Sequence, residues 1–302
     1  MNPLALLRAM RPTQWAKNMF VLAALVFARG EQGSLFGGDR WDIYRTLFAF
    51  AAFCLGSSAI YLVNDVLDVE SDRKHPTKRF RPIAAGELSV TSALSASAVC
   101  VAAAIALGLR ADGHTVPVVW IVSAYMALNL AYSLKLKHVV ILDAFCIAAG
   151  FLLRVAAGGQ AANAVISHWL MLCTLFLALF LALCKRRAET DLLGDDRGEH
   201  RAILLEYNTE FLDQMITVLA ACTIVTYTMY TVSEETVKKF GTGHLIWTVP
   251  FVVFGLARYM LLVHTQKGGG NPTRVLLAGD ALFLVNTLGW MATVALIVFT
   301  HR

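Results

Sequence analysis

The sequence predicts an all-α membrane protein that crosses the bilayer many times, and its composition and its segment lengths carry that prediction. Of the 302 residues, 57% are hydrophobic and only 16% are charged, whereas a soluble domain is about one quarter charged. The mean hydropathy is +0.60. Apolar runs recur along the chain, and most approach the ~20 residues that a helix needs to cross the hydrocarbon core. We therefore expect a polytopic helical protein built as one domain over residues 1–302.

Along the chain, the sequence predicts an interfacial N-terminal helix followed by nine membrane-spanning segments. The opening "MNPLALLRAMRPTQW" is too short and too interrupted for a cleaved signal peptide, and it predicts an interfacial helix with Trp15 at the headgroups. The first span is the shortest. The nine predicted spans are 16–28, 44–64, 89–109, 115–134, 139–158, 167–185, 212–232, 244–265 and 279–300.

The lysines and arginines between these spans predict an orientation. With the N-terminus in the cytoplasm, 17 of them fall on the cytoplasmic side and 7 on the other side. That asymmetry obeys the positive-inside rule. Loop acids concentrate on the same side, with one group in the loop at 65–88 and another in the loop at 186–211. The functional loops, about 65–88, 135–138, 186–211 and 266–278, are therefore expected to be cytoplasmic.

Several function classes receive no support from the sequence. The six cysteines lie in apolar runs without a CxxC pair, which is typical of buried hydrophobes and not of disulfides or zinc ligands. The eight histidines are dispersed. No phosphate-binding Walker loop, dinucleotide fingerprint or haem motif is present. No nucleic-acid-binding module is visible either, so nucleic acid is not an expected partner.

Residues 64–72, "NDVLDVESD", place carboxylates at the end of an apolar run with no turn residue between. At 100° per residue, one amide and three carboxylates share one quadrant of a helix, whereas Glu70 points away and Tyr61 continues the face. Such carboxylates repel one another unless a cation lies among them, and hard oxygen ligands suit Mg²⁺. The predicted metal ligands are Asn64, Asp65, Asp68 and Asp72. The alternatives are a solvated helix end and an acid-lined cation path.

The next loop, "RKHPTKRFRPIAAGELS", is basic. Lys78, Arg79 and Arg81 follow the acids closely, and Gly86 permits a turn before Ser89, a candidate helix cap. Beside a metal, such groups suit the remaining oxygens of a polyphosphate. The alternative is an ordinary positive-inside cluster.

Further polar residues near or within the spans are candidate substrate contacts. Arg154 lies inside a predicted span, where a charge is costly and is functional by default unless it snorkels to the interface. The others lie at the predicted cytoplasmic ends of helices. They are Lys17, Tyr132, Lys135, Lys137, Lys185, Arg186 and Glu189.

These motifs resemble the UbiA superfamily of intramembrane transferases over essentially the whole chain. The first family motif, NDxxDxxxD, is complete here, and the resemblance implies nine transmembrane helices around a central cavity with cytoplasmic capping loops. The second acid motif of the family is displaced, because "CKRRAETDLLGDD" stands at its place. That departure, with "RPTQWAKN", "AYSLKLKH" and "LLRVAAGG", is similar to the decaprenyl-phosphate phosphoribosyltransferase branch.

The resemblance implies a Mg²⁺-dependent enzyme of the bacterial inner membrane. It implies transfer of a 5-phosphoribosyl group from phosphoribosyl diphosphate to a polyprenyl phosphate lipid, for arabinan precursors of the cell wall, with Asp65, Asp68 and Asp72 catalytic. Membrane lipids are expected partners, and a homo-oligomer is left open. One alternative is transfer of an isoprenyl chain from its diphosphate to an aromatic or haem-like acceptor. The other is a transporter or cation channel.

Overall fold

The computed structural model describes residues 2–27, 40–111, 116–193, 207–265 and 280–300, and these residues form helices and turns without a strand. The all-α prediction is confirmed. In chain order the helices are α1 (Pro3–Met10), α2 (Met19–Phe27), α3 (Arg40–Leu67), α4 (Val69–Lys74), α5 (Val90–Arg110), α6 (Val118–Leu134), α7 (Leu142–Ala161), α8 (His168–Leu193), α9 (Thr209–Val232), α10 (Glu234–Phe240), α11 (Val249–Thr265) and α12 (Ala281–Thr300).

Seven helices of the described ranges are long and apolar enough to cross a membrane, so the chain is a multi-pass membrane protein. Each predicted span contains a helix. However, α6 has 17 residues and the described part of the first span, α2, has nine. The count of nine spans therefore stays a prediction. The predicted loop at 266–278 and half of the one at 186–211, residues 194–206, lie outside the described residues.

The chain divides into two compact units. The first comprises Met1–Leu134 with Leu153–Ile166, and the second comprises Lys135–Leu152 with Ser167–Arg302.

In the first unit, α3 is the central element of the packing. Its buried face includes Ala49, Ala52 and Phe53, and the Phe53 ring lies 4.9 Å from that of Tyr125 on α6. A close approach joins α5 to α6, since a Cβ added at Gly108 would lie 3.0 Å from the backbone of the facing helix. This small-residue packing brings polar side chains of α3, α6 and α7 into one interior.

The acidic segment 64–72 is helical and not a loop. The amide of Asp68 donates to the carbonyl of Asn64 at 2.9 Å, and the amide of Asp72 donates to that of Asp68 at 2.8 Å. Helical hydrogen bonding thus continues across the junction of α3 and α4, because residues 64–75 contain no glycine or proline. One face can therefore carry acids over two turns, as the wheel predicts.

The basic loop returns the chain to α5. Gly86 has a φ of 78°, a left-handed conformation that favours glycine. The hydroxyl of Ser89 then accepts from the amide of Ser92 at 3.2 Å, so the predicted helix cap is confirmed.

In the second unit, α8 and α9 pack along their length around Phe180, Leu212 and Ile216. Helix α8 continues to Leu193, eight residues beyond the predicted end of its span, because no helix breaker precedes Gly194. Charged residues that the sequence places at a loop start are thereby helical.

Candidate active site

Two buried carboxylates of the first unit share one guanidinium group. Arg81 Nη1 lies 3.1 Å from Asp65 Oδ1 and 2.6 Å from Asp72 Oδ2. Each aspartate is only 2% exposed. Buried charges are tolerated only when they are paired and hydrogen-bonded, so this bridge holds the two carboxylates together across the junction of α3 and α4.

A second arginine reaches the same carboxylate from the N-terminal segment. Arg11, in a left-handed conformation between α1 and the 3₁₀ turn Pro12–Asn18, donates to Asp65 Oδ1. Its guanidinium carbon lies 4.8 Å from the centre of the Tyr61 ring. Arg11 is a site residue that the sequence motifs did not point to. The available signal was its place at the start of the quoted "RPTQWAKN".

The remaining residues of the motif divide as the helical wheel suggests. Asn64 Nδ2 donates to Asp68 Oδ2 at 3.0 Å, and both side chains are half-buried. Glu70 is exposed and pairs with Arg73 at 2.9 Å, away from the other acids. The structure thus pairs Asp65 and Asp72 with the guanidinium group of Arg81, whereas Asp68 lies one helical turn from Asp65.

The carboxylate oxygens of Asp65 and Asp72 fit a divalent cation, but two arginines already contact them. A single positive nitrogen already contacts oxygens of both Asp65 and Asp72, so the two carboxylates can converge on one cation. Within the described ranges, however, no group of three or more His, Cys, Asp or Glu side chains is arranged to hold a metal ion. The guanidinium groups of Arg11 and Arg81 fill that position, so a metal would have to share or displace them.

The three basic side chains of the loop differ in their exposure and in their contacts. Arg81 is engaged by the acids, Lys78 is half-buried, and Arg79 is exposed with its guanidinium 4.9 Å from the Phe80 ring centre. Lys17 and Tyr132 are half-buried in the same unit.

A second buried cation of the first unit lies within a spanning helix. Arg154 of α7 is 6% exposed, and its Nε donates to Asn18 Oδ1 at 2.8 Å. Its Nη2 donates to the hydroxyl of Tyr125 at 2.8 Å, and its guanidinium carbon lies 4.7 Å from the centre of that ring. Arg154 is therefore buried and does not snorkel. The sequence did not point to Asn18 or Tyr125, because the partners of an arginine within a membrane span depend on tertiary packing.

The second unit has its own buried charge network. Arg186 of α8 is 1% exposed, its Nε lies 3.0 Å from Asp143 Oδ2, and its Nη1 donates to Glu189. The hydroxyl of Tyr207 donates to Asp143 Oδ1 at 2.7 Å and accepts from the amide of Ile141 at 2.8 Å. Burial, followed by the hydrogen bond to Asp143, raises the pKa of Tyr207 above its ordinary value, so the phenol stays protonated.

The predicted lysines of this unit are more accessible than Arg186. Lys185 is exposed, with its Nζ 3.7 Å from Glu189. Lys135 is exposed and Lys137 is half-buried at the 3₁₀ turn Leu136–His138. These lysines are therefore the more accessible positive charges, whereas Arg186 is buried between two carboxylates.

A comparison with protein families identifies the chain. The model of the UbiA prenyltransferase family matches residues 18–204, which include the whole acidic segment and the Arg186 network up to Glu189. The chain belongs to the UbiA prenyltransferase family. It is accordingly an enzyme of the transferase class.

Curated relatives of this UbiA protein carry a more specific name. Decaprenyl-phosphate phosphoribosyltransferase from Corynebacterium glutamicum is 37% identical over 297 residues, covering 97% of this chain and 86% of the relative. The protein of that name from Mycolicibacterium smegmatis is 34% identical, covering 97% and 92%. The one from Mycobacterium tuberculosis is 35% identical, covering 95% and 92%.

Solved structures support the UbiA fold. A UbiA homologue from Archaeoglobus fulgidus bound to GPP and Mg²⁺ superimposes with a TM-score of 0.72 at 16% identity, covering 97% of this chain and 99% of the other. The same homologue bound to DMAPP and Mg²⁺ gives a TM-score of 0.71 at 16% identity, covering 98% and 99%. At this identity the likeness concerns the fold.

Proposed function

We propose that this UbiA protein transfers a 5-phosphoribosyl group from phosphoribosyl diphosphate to a polyprenyl phosphate, of which decaprenyl phosphate is the first candidate. The observation that carries the proposal is the similarity, at 34–37% identity over at least 95% of the chain, to relatives named decaprenyl-phosphate phosphoribosyltransferase. The product would serve synthesis of cell-wall arabinan precursors. The site would face the cytoplasm of a bacterial inner membrane, where phosphorylated sugars are made.

The reaction exchanges one bond at C1 of the ribose. A phosphate oxygen of the lipid attacks C1 from the face opposite the leaving group, the bond from C1 to the diphosphate oxygen breaks, and diphosphate leaves with its electron pair. The attacking oxygen is already ionised, so no strong general base is needed. The positive charge that develops at C1 favours surroundings rich in carboxylates and hydroxyls.

The acidic segment supplies the groups for the diphosphate end. Asp65, Asp68 and Asp72, with Asn64 assisting, would hold Mg²⁺ through oxygen ligands. When bound, the metal would neutralise charge on the diphosphate leaving group. Arg81, Arg79 and Lys78 would pair with phosphate oxygens beyond the metal, and the half-buried position of Lys78 beside the engaged Arg81 supports this role.

Other residues would hold the ribose and the acceptor. Lys135, Lys137 and Lys185 are candidates for the acceptor phosphate or the ribose 5-phosphate, and Tyr61, Tyr132 and Glu189 for ribose hydroxyls. Arg186 positions Glu189 by pairing with it. Arg154 and Lys17 supply further positive charge in the first unit.

The test is an assay of the purified full-length protein in lipid or detergent. Incubation with radiolabelled phosphoribosyl diphosphate and decaprenyl phosphate is expected to yield label in the lipid fraction, dependent on a divalent cation. If no label reaches the lipid, while an isoprenyl diphosphate is consumed with an aromatic acid as acceptor, the protein is a prenyltransferase of the alternative kind.

A further inference from the structure

We propose that Arg11 and Arg81 compete with a divalent cation for the carboxylate oxygens of Asp65 and Asp72, and that a bound diphosphate ends this competition by pairing with the guanidinium groups. The metal and the diphosphate therefore bind cooperatively. The inference rests on the proposed function only in taking diphosphate as a ligand of this site. It adds a role for Arg11, which no motif assigns.

The charge balance of the cluster is the first step. Asp65 and Asp72 carry two negative charges, and Arg11 and Arg81 carry two positive charges against them. Both carboxylates are 2% exposed, so the cluster is buried and already neutral. A divalent ion that entered beside the two arginines would leave two positive charges in excess, and weak screening makes like charges repel strongly there.

The geometry makes the competition direct. Arg81 Nη1 contacts one oxygen of each carboxylate, and Arg11 contacts the same Asp65 oxygen. A metal that bridges Asp65 and Asp72 needs oxygens at this position. The arginines thus occupy the ligand atoms themselves and do not merely lie nearby.

The arginines, unlike the carboxylates, have room to move. Their side chains are 26% and 25% exposed, and both come from segments outside α3, namely the junction after α1 and the loop before α5. Guanidinium groups bind phosphate oxygens with two parallel hydrogen bonds, at least as well as they bind carboxylates. A diphosphate offers these groups new anionic partners and also bridges to the metal, which couples the two binding events.

The experiment measures two affinities in the purified full-length protein and in its Arg81→Gln and Arg11→Gln variants. Binding of Mn²⁺ alone is followed by electron paramagnetic resonance, and binding of radiolabelled inorganic diphosphate is measured at saturating Mg²⁺. Removing one competing charge should tighten binding of Mn²⁺ alone about tenfold, equivalent to about 1.4 kcal/mol. The same variants should bind diphosphate about tenfold more weakly.

The opposite signs separate the proposal from simple damage. A variant that folds poorly would lose both affinities, and Arg81→Lys, which keeps the competing charge, should stay near wild type for Mn²⁺ alone. Arg73→Gln is the matched control, because Arg73 pairs with the exposed Glu70 and should change neither affinity.

If both glutamine variants bind Mn²⁺ no more tightly than wild type, the proposal is overturned. That result would leave the proposed phosphoribosyl transfer untouched. Conversely, opposite changes in the two affinities with no ribose reaching a lipid would support the competition and overturn the transfer.

Discussion

Asp68 occupies a different environment from the two aspartates that flank it in the motif. Asp65 and Asp72 are buried under Arg81, whereas Asp68 is half-buried and accepts from Asn64 one turn earlier. The carboxylate of Asp68 is therefore more accessible to a ligand than those of Asp65 and Asp72. Its loss should affect chemistry more than folding.

The variant Asp68→Asn should accordingly lose activity without losing its fold. An amide of the same shape can stay beside Asn64 but supplies no charge to a metal, so turnover should fall at least about 100-fold, as for removal of an electrostatic stabiliser. The measurements are transferase activity and the midpoint of thermal unfolding. Glu70→Gln is the control, since Glu70 is exposed and paired with Arg73. Retained activity in Asp68→Asn would rule out its role in metal binding.

The contacts of Arg154 predict that its partners Asn18 and Tyr125 contribute to the stability of the fold. Asn18→Ala would leave the buried Arg154 Nε without the acceptor that now lies at 2.8 Å, at a cost of about 1–3 kcal/mol in the free energy of unfolding. Tyr125→Phe removes the hydroxyl that accepts from Arg154 Nη2 but keeps the ring beneath the guanidinium, so its cost should be smaller. Thermal unfolding in detergent measures both. Unchanged midpoints would show that Arg154 does not depend on these partners.

The C-terminal turns of α8 contain charged residues, and one of them, Arg186, pairs with a carboxylate from α7. Arg186 lies between Asp143 at the start of α7 and Glu189 one turn further along α8. Tyr207 fixes Asp143 from the segment just before α9. The network thus joins three elements of the second unit through one carboxylate.

Breaking that network from one side should destabilise the unit. Asp143→Asn removes the buried charged partner of Arg186 but leaves its pair with Glu189, and we expect a loss of about 1–3 kcal/mol in the free energy of unfolding. The double variant with Arg186→Met should lose less than the sum of the two single variants, because it also removes the buried guanidinium that lost this partner. Lys185→Gln, at an exposed position, is the control for stability. Strictly additive losses would contradict this account of the pair.

At the scale of the whole molecule, orientation across the membrane is the prediction that no contact tests. Thr77 and Val165 are both exposed, and α5, α6 and α7 lie between them in the chain. The predicted spans include all three helices, and three crossings would put the two residues on opposite sides of the membrane. The excess of lysine and arginine predicts that Thr77 faces the cytoplasm.

Single cysteines at these positions test the orientation. In a background without the native cysteines, Thr77→Cys should react with an impermeant maleimide only in inside-out vesicles, and Val165→Cys only in right-side-out vesicles. Labelling of both from one side would contradict the predicted topology.

The sequence predicts helices and shared faces better than it predicts partners. Apolar length locates a helix in every predicted span, and the wheel over 64–72 separates Glu70 from the other acids because helical geometry is local. The end of α8 was placed eight residues early, since charge alone does not stop a helix. The pairing of Arg11 with Asp65, 54 residues apart in the chain, depends on packing that no local pattern reports.

The most direct test of the central claim follows the two ends of phosphoribosyl diphosphate separately. With decaprenyl phosphate as acceptor, ³²P in the 5-phosphate should appear in the lipid fraction, and ³²P in the β-phosphate should be released as inorganic diphosphate. Both should require a divalent cation and be lost in Asp68→Asn. If neither label moves, or if the β-phosphate label enters the lipid, phosphoribosyl transfer is not the reaction of this protein.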